Sequence, residues 1–115
     1  MYDFLLYGSY GYTGSLIAEQ AVEQGLKPLL AGRHSQKVQE QAQRLGLEGR
    51  AFTLEDTPAL EAALMEVPLV LHAGGPFYRT YRKVVEACLR TRRHYLDVTG
   101  EILFRILARR IRNEV

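Results

Sequence analysis

Gly8-Ser9-Tyr10-Gly11-Tyr12-Thr13-Gly14 stands between an apolar run, Phe4-Leu5-Leu6-Tyr7, and a segment with helical periodicity. The glycines fall as G-x-x-G-x-x-G. At a strand-to-helix turn each has a separate task. Gly8 allows the sharp turn, Gly11 removes a side chain where a diphosphate approaches the backbone, and Gly14 lets the helix pack close to the strand. The amide N–H groups at the helix start, with the positive end of its dipole, favour anions. Ser9, Tyr12 and Thr13 are candidate extra donors, and Tyr10 lies within the same turn. Glycine spacing alone is weak evidence. The apolar strand before it and the striped helix after it supply the context. The competing explanation is a tight turn that holds no ligand.

Outward from this turn the pattern repeats. Strands are expected at Tyr2–Tyr7, Pro28–Ala31, Arg50–Leu54, Leu69–Ala73 and His94–Val98. Between them, apolar residues at helical spacing predict helices. The first runs from Tyr12 or Thr13 to Gln24, with Gly25 as its stop. The second begins with Ser35 as N-cap, carries Val38, Ala42 and Leu45, and ends at Gly46 and Gly49. Thr57 is expected to cap the third, with Pro58 at its first position. Tyr81, Val84, Val85, Cys88 and Leu89 stripe the fourth, and Leu103, Ile106, Leu107 and Ile111 a last one.

Alternating strands and helices imply parallel pairing through right-handed crossovers. The fold class expected is α/β, a Rossmann-type doubly wound parallel sheet of order 3-2-1-4-5 with helices on both faces. Ligands in such sheets sit at the carboxyl ends of the strands, beside the switch point.

Two further signals fall at such ends. Strand 2 closes with Ala31-Gly32-Arg33-His34-Ser35. A site for NAD places an acid here, on the ribose 2′-hydroxyl. No acid is present, whereas Arg33 can give a 2′-phosphate charge-assisted bidentate bonds, with Ser35 and Lys37 as helpers. NADP is therefore the expected cofactor. Strand 4 closes with His72-Ala73-Gly74-Gly75-Pro76-Phe77. Gly74 and Gly75 let the backbone lie against the ribose and diphosphate, and Pro76 stiffens the exit toward Phe77. His72 is expected to be a packed or surface histidine rather than a base.

The whole chain of 115 residues suits one domain. It is 47% hydrophobic and 24% charged, which argues against disorder. Cys88 is the single cysteine, so no internal disulfide or cysteine metal cluster is expected, and no metal site is assigned. No apolar run reaches the roughly 18 residues of a membrane span, and the N-terminus lacks signal-peptide features. A cytoplasmic location is expected. Residues 1–78 carry 5 basic and 9 acidic side chains, residues 79–115 carry 10 and 4. The basic C-terminal part is expected to be a solvated helix face, with nucleic acid an unlikely partner. The apolar stripe of the last helix suggests self-association into a homo-oligomer.

Together, Gly11-Tyr12-Thr13-Gly14, Ala31-Gly32-Arg33, Gly75-Pro76-Phe77, Val84-Val85-Glu86-Ala87-Cys88 and the run His94-Tyr95-Leu96-Asp97-Val98-Thr99-Gly100-Glu101 carry a resemblance. The chain resembles the N-terminal NADP-binding domain of saccharopine dehydrogenase-like oxidoreductases, a group that includes saccharopine reductases and trans-acting enoyl reductases. It departs from them at Thr80-Tyr81-Arg82-Lys83, where a Tyr-Gly and a Pro are usual, and at Arg93, where a glycine is common. The resemblance implies hydride transfer involving an unidentified small-molecule substrate near Phe77 and Asp97–Glu101. Members continue into a substrate domain. Residues 1–115 are accordingly expected to be a fragment of a longer enzyme, inactive by itself, with no catalytic residue assigned. An NADP(H)-sensing module without catalysis is the alternative. A short-chain dehydrogenase is disfavoured, since Tyr78 is followed four residues later by Arg82 rather than lysine.

Overall fold

A computed structural model describes residues 1–74 and 77–97. Among the described residues the strands are β1 (Phe4–Tyr7), β2 (Pro28–Gly32), β3 (Glu48–Ala51), β4 (Leu69–His72) and β5 (His94–Asp97). The helices are α1 (Tyr12–Glu23), α2 (Ser35–Leu45), α3 (Thr57–Leu64) and α4 (Phe77–Thr91). All strand pairs are parallel, in the order β3-β2-β1-β4-β5. The expected order and helix alternation are thus observed. The last expected helix, with the oligomer surface assigned to it, lies outside the described residues.

Strand alternation explains the two cores. Successive side chains of β1 point to opposite faces. Phe4 and Leu6 pack with Ile17, Ala18 and Ala21 of α1 and Ala42 of α2. Leu5 and Tyr7 pack with Leu60, Ala63 and Leu64 of α3 and Val84, Ala87 and Cys88 of α4. As the central strand, β1 is buried along its whole length. Burial also pushes the Cys88 thiol up to about 11.

Several local expectations are corrected. β3 begins earlier than Arg50, because α2 ends at Gly46. Gly46 is left-handed, and Leu47 N–H returns to Ala42 O at 2.9 Å, which sends the chain straight into the edge strand. Gly49 lies within β3 rather than ending the helix, and a Cβ there would fall 2.6 Å from Val38 Cγ1. Phe52 and Leu54 close the α3/α4 core from beyond the strand. The N-cap of α3 is Asp56, whose carboxylate accepts the Ala59 N–H at 3.2 Å, so Thr57 and Pro58 are already helical. The N-cap of α2 is His34, with no side-chain cap bond, and Ser35 is the first helical residue. On α4, Tyr81 and Leu89 are exposed, while Val84, Ala87 and Cys88 face the core.

The basic charge of α4 is partly engaged by α3 and its approach. Lys83 pairs with Glu55, and Arg90 Nε lies 2.6 Å from Glu61. Beyond α4, Arg93 donates to the Leu64 carbonyl at 2.9 Å, the Thr91 carbonyl at 3.0 Å and the Met65 carbonyl at 3.4 Å. Arg93 thereby satisfies carbonyls at the C-terminus of α3.

Candidate cofactor site

Register brings the three sequence signals to one edge. Tyr7 lies opposite Ala31 on one side and His72 on the other. The turn after β1 is therefore flanked by the ends of β2 and β4.

Gly8 has φ +85°, and a Cβ on it would fall 2.5 Å from Gly74 N. Backbone and packing both require glycine there. A Cβ on Gly14 would fall 2.0 Å from Gly8 O, so the first turn of α1 rests directly on the loop. Gly11 differs. Its φ of −69° and ψ of 175° suit any residue. A Cβ there would meet only Gly8 O, at an ordinary 3.5 Å. Neither conformation nor internal contact calls for glycine at 11. The space its side chain would fill is open, as the approach of a diphosphate requires.

The helix end behind Gly11 suits the same ligand. α1 has no side-chain cap and no acid in its first turn. The first-turn N–H groups have no intrahelical acceptor. Gly11, Tyr12 and Thr13 are exposed.

Ser9 is a correction. It is fully buried, its Oγ donates to Gln41 Oε1 at 2.7 Å, and Gln41 Nε2 donates to Ser9 O at 2.7 Å. Its hydroxyl ties the turn to α2 and is not turned toward a ligand. Gln41 was missed from sequence. The signal available was a polar residue at the i+3 position of the Val38-Ala42-Leu45 stripe.

Tyr10 bridges to the end of β2. Its hydroxyl accepts the His34 N–H at 3.1 Å, and its ring lies where a Gly32 side chain would stand. Lys37 Nζ is 5.7 Å from the Tyr10 ring centroid and the His34 ring 6.0 Å. Arg33 and Ser35 are exposed. Residues 31–39 contain no acid. Arg33 is near enough to oppose the rise of the Tyr7 phenol, which burial, and secondarily Tyr10, push up to about 12. Tyr7 donates to Phe52 O at 2.9 Å.

At the end of β4, Ala73 N–H bonds Tyr7 O at 2.8 Å, and Gly74 follows against Gly8. His72 is fully buried, as a packed residue. Gly75 and Pro76 lie outside the described residues, as do Thr99 and Glu101. Phe77 starts α4, and Asp97 ends β5 opposite His72. Among the described residues no group of three metal-ligating side chains gathers. Nor is any helix there long and apolar enough to cross a membrane.

This arrangement agrees with the comparisons. The chain is 34% identical over 110 residues to a trans-acting enoyl reductase of Mycobacterium leprae, covering 90% of this chain and 26% of that protein. Its counterpart in Mycobacterium tuberculosis is 33% identical over the same length and coverage. The chain thus spans about a quarter of the length of these relatives. Among solved structures, saccharopine dehydrogenase (L-Glu forming) from Saccharomyces cerevisiae superposes with a TM-score of 0.75. It is 20% identical, and the match covers 93% of this chain and 24% of that one. Yeast methylglyoxal/isovaleraldehyde reductase, solved with NADPH, shares the fold at a TM-score of 0.66 and 12% identity, over 77% of this chain and 33% of that one. The saccharopine dehydrogenase NADP binding domain matches residues 4–111. A glycine turn open at Gly11, an uncapped helix start and an acid-free end of β2 are what such a domain needs, and the chain belongs to the saccharopine dehydrogenase NADP binding domain family.

Proposed function

We propose that this chain binds NADP(H) in preference to NAD(H) and is the cofactor half of a hydride-transferring oxidoreductase. The observation that carries the proposal is Gly11, a glycine that neither its dihedrals nor its neighbours require. The first-turn N–H groups of α1 would hold the diphosphate beside it. Arg33 would hold the 2′-phosphate, with Ser35 and Lys37 nearby. The backbone of Gly74 would face the nicotinamide ribose. When bound, the cofactor supplies or accepts the hydride, and the chain binds and orients it.

Substrate walls would come from sequence beyond this quarter of the relatives' length. An enoyl compound is the first substrate to try, given the relatives' names. A cytoplasmic site of action goes with this proposal, as does near-absence of turnover by the 115 residues alone.

Calorimetric titration of NADPH and NADH against the wild-type chain and Gly11→Val tests the proposal. The wild type is expected to bind NADPH more tightly. The variant should keep its fold and lose the cofactor. Equal or tighter NADH binding, or undiminished NADPH binding by Gly11→Val, overturns it.

A further inference from the structure

His72 is fully buried at the end of β4, with the Tyr7 and Tyr95 rings each 6.1 Å away. An apolar side chain could fill such a place without the cost of burying two ring nitrogens. Both nitrogens are instead used. Nδ1 accepts the Gly74 N–H at 3.4 Å. A neutral imidazole accepting at Nδ1 carries its proton on Nε2. Nε2–H therefore donates to Thr80 Oγ1 at 2.8 Å, and Thr80 Oγ1 donates to Gly74 O at 3.2 Å. The three bonds close a circuit, with the N–H and the carbonyl of Gly74 both held inside it.

The circuit begins where the sheet stops. The last register pair of β4 is Tyr7 with His72, and Ala73 N–H makes a final bond to Tyr7 O. Gly74 has no strand to guide it, yet it must lie against Gly8 closely enough that a Cβ on Gly8 would fall 2.5 Å from its nitrogen. Thr80 belongs to α4, so the circuit also ties that helix to the end of β4.

We propose that His72 and Thr80 are positioning residues for the cofactor, holding the Gly74 backbone against the glycine turn on the nicotinamide side of the site. The proposal rests on the cofactor placement given above. His72 and Thr80 touch no cofactor themselves. They act through the backbone of Gly74.

Thr80→Val removes the hydroxyl at nearly constant shape, and Thr80→Ser retains it. Both are compared with the wild-type 115-residue chain by titration with NADPH and with 2′,5′-ADP, which carries the adenosine half and its 2′-phosphate but no nicotinamide ribose. Thr80→Val is expected to weaken NADPH about three- to tenfold, the scale of one net hydrogen bond, and to leave 2′,5′-ADP unchanged. Thr80→Ser should restore NADPH binding. His72→Phe, which keeps a ring between the tyrosines, should reproduce the Thr80→Val pattern, with a melting curve to confirm its fold. Unchanged NADPH binding by Thr80→Val, or equal weakening of both ligands, overturns this inference alone. Failure of the wild type to bind NADPH overturns the cofactor assignment beneath it.

Discussion

The Tyr10 ring occupies the space that a side chain on residue 32 would need: a Cβ on Gly32 would lie 2.3 Å from Tyr10 Cε2. The three nearest atoms to that Cβ all belong to Tyr10. Gly32→Ala should therefore displace the ring, break the bond from His34 N–H and loosen the two loops from each other. Overpacking of this kind costs about 1–3 kcal/mol, and half-burial of Tyr10 puts the expectation near the lower end. In a Tyr10→Ala background the same substitution should cost almost nothing. Chemical denaturation of the four proteins in this cycle measures the coupling, and a cost that persists without Tyr10 refutes the contact.

Arg33→Ala is expected to weaken NADPH by about 1.5–3 kcal/mol, the range for hydrogen bonds to charged groups. NADH affinity should hardly change, because NADH lacks the 2′-phosphate. Calorimetry with both cofactors reads the difference directly, and parallel losses would show that Arg33 serves something else.

Gly11 and Gly14 should fail in opposite ways. Gly11→Val keeps its melting temperature and loses the ligand-induced rise. Gly14→Ala loses the fold itself, since its Cβ would stand 2.0 Å from Gly8 O. Thermal melts with and without NADPH separate the two.

Three helices end with a left-handed residue and a return bond from the next N–H: Leu26 to Ala21 O, Leu47 to Ala42 O, and Arg93 to Cys88 O. The left-handed residue is Gly25 in the first, Gly46 in the second and Arg92, at φ 59°, in the third. A non-glycine residue pays a steric penalty there. Arg92→Gly should stabilise the chain modestly, because relief of a left-handed penalty of about 1–2 kcal/mol exceeds the extra backbone entropy that glycine loses, about 0.5–1 kcal/mol. Arg93→Ala should instead destabilise it, because the last carbonyls of α3 lose a charged donor, by about 1–3 kcal/mol. Urea midpoints of the two variants should move in opposite directions.

Stability should fall in alkali. Burial raises the Cys88 thiol from 9.0 to about 11 and the Tyr7 phenol from 10.0 to about 12. The unfolded chain loses these protons first, so the folded state binds more of them between the two sets of values. Their contribution is complete below pH 9 and is lost as pH rises toward 12. Denaturation midpoints that stay flat from pH 8 to 10.5 would contradict this. Native Cys88 should also resist alkylation at pH 8 until the chain is unfolded.

Strand order, the paired faces of the sheet and the gathering of the three motifs at one edge of it were legible in the sequence. Each follows from local information. Period-two and helical spacing define the elements, and the fixed hand of the crossover arranges them. The glycine turn and the acid-free Ala31-Gly32-Arg33 ending belong to the same class, since each lies within one connection.

What the tertiary structure alone decided are partners that meet only after the chain has returned. Ser9 turns inward because Gln41, 32 residues on, is there to receive it. Arg93 reaches the carbonyls of α3 from 29 residues away at Leu64. His72 finds Thr80 only once α4 has folded back on β4. Periodicity specifies which face is buried. It does not specify which buried polar atom satisfies which, because that depends on the packing of elements distant in sequence.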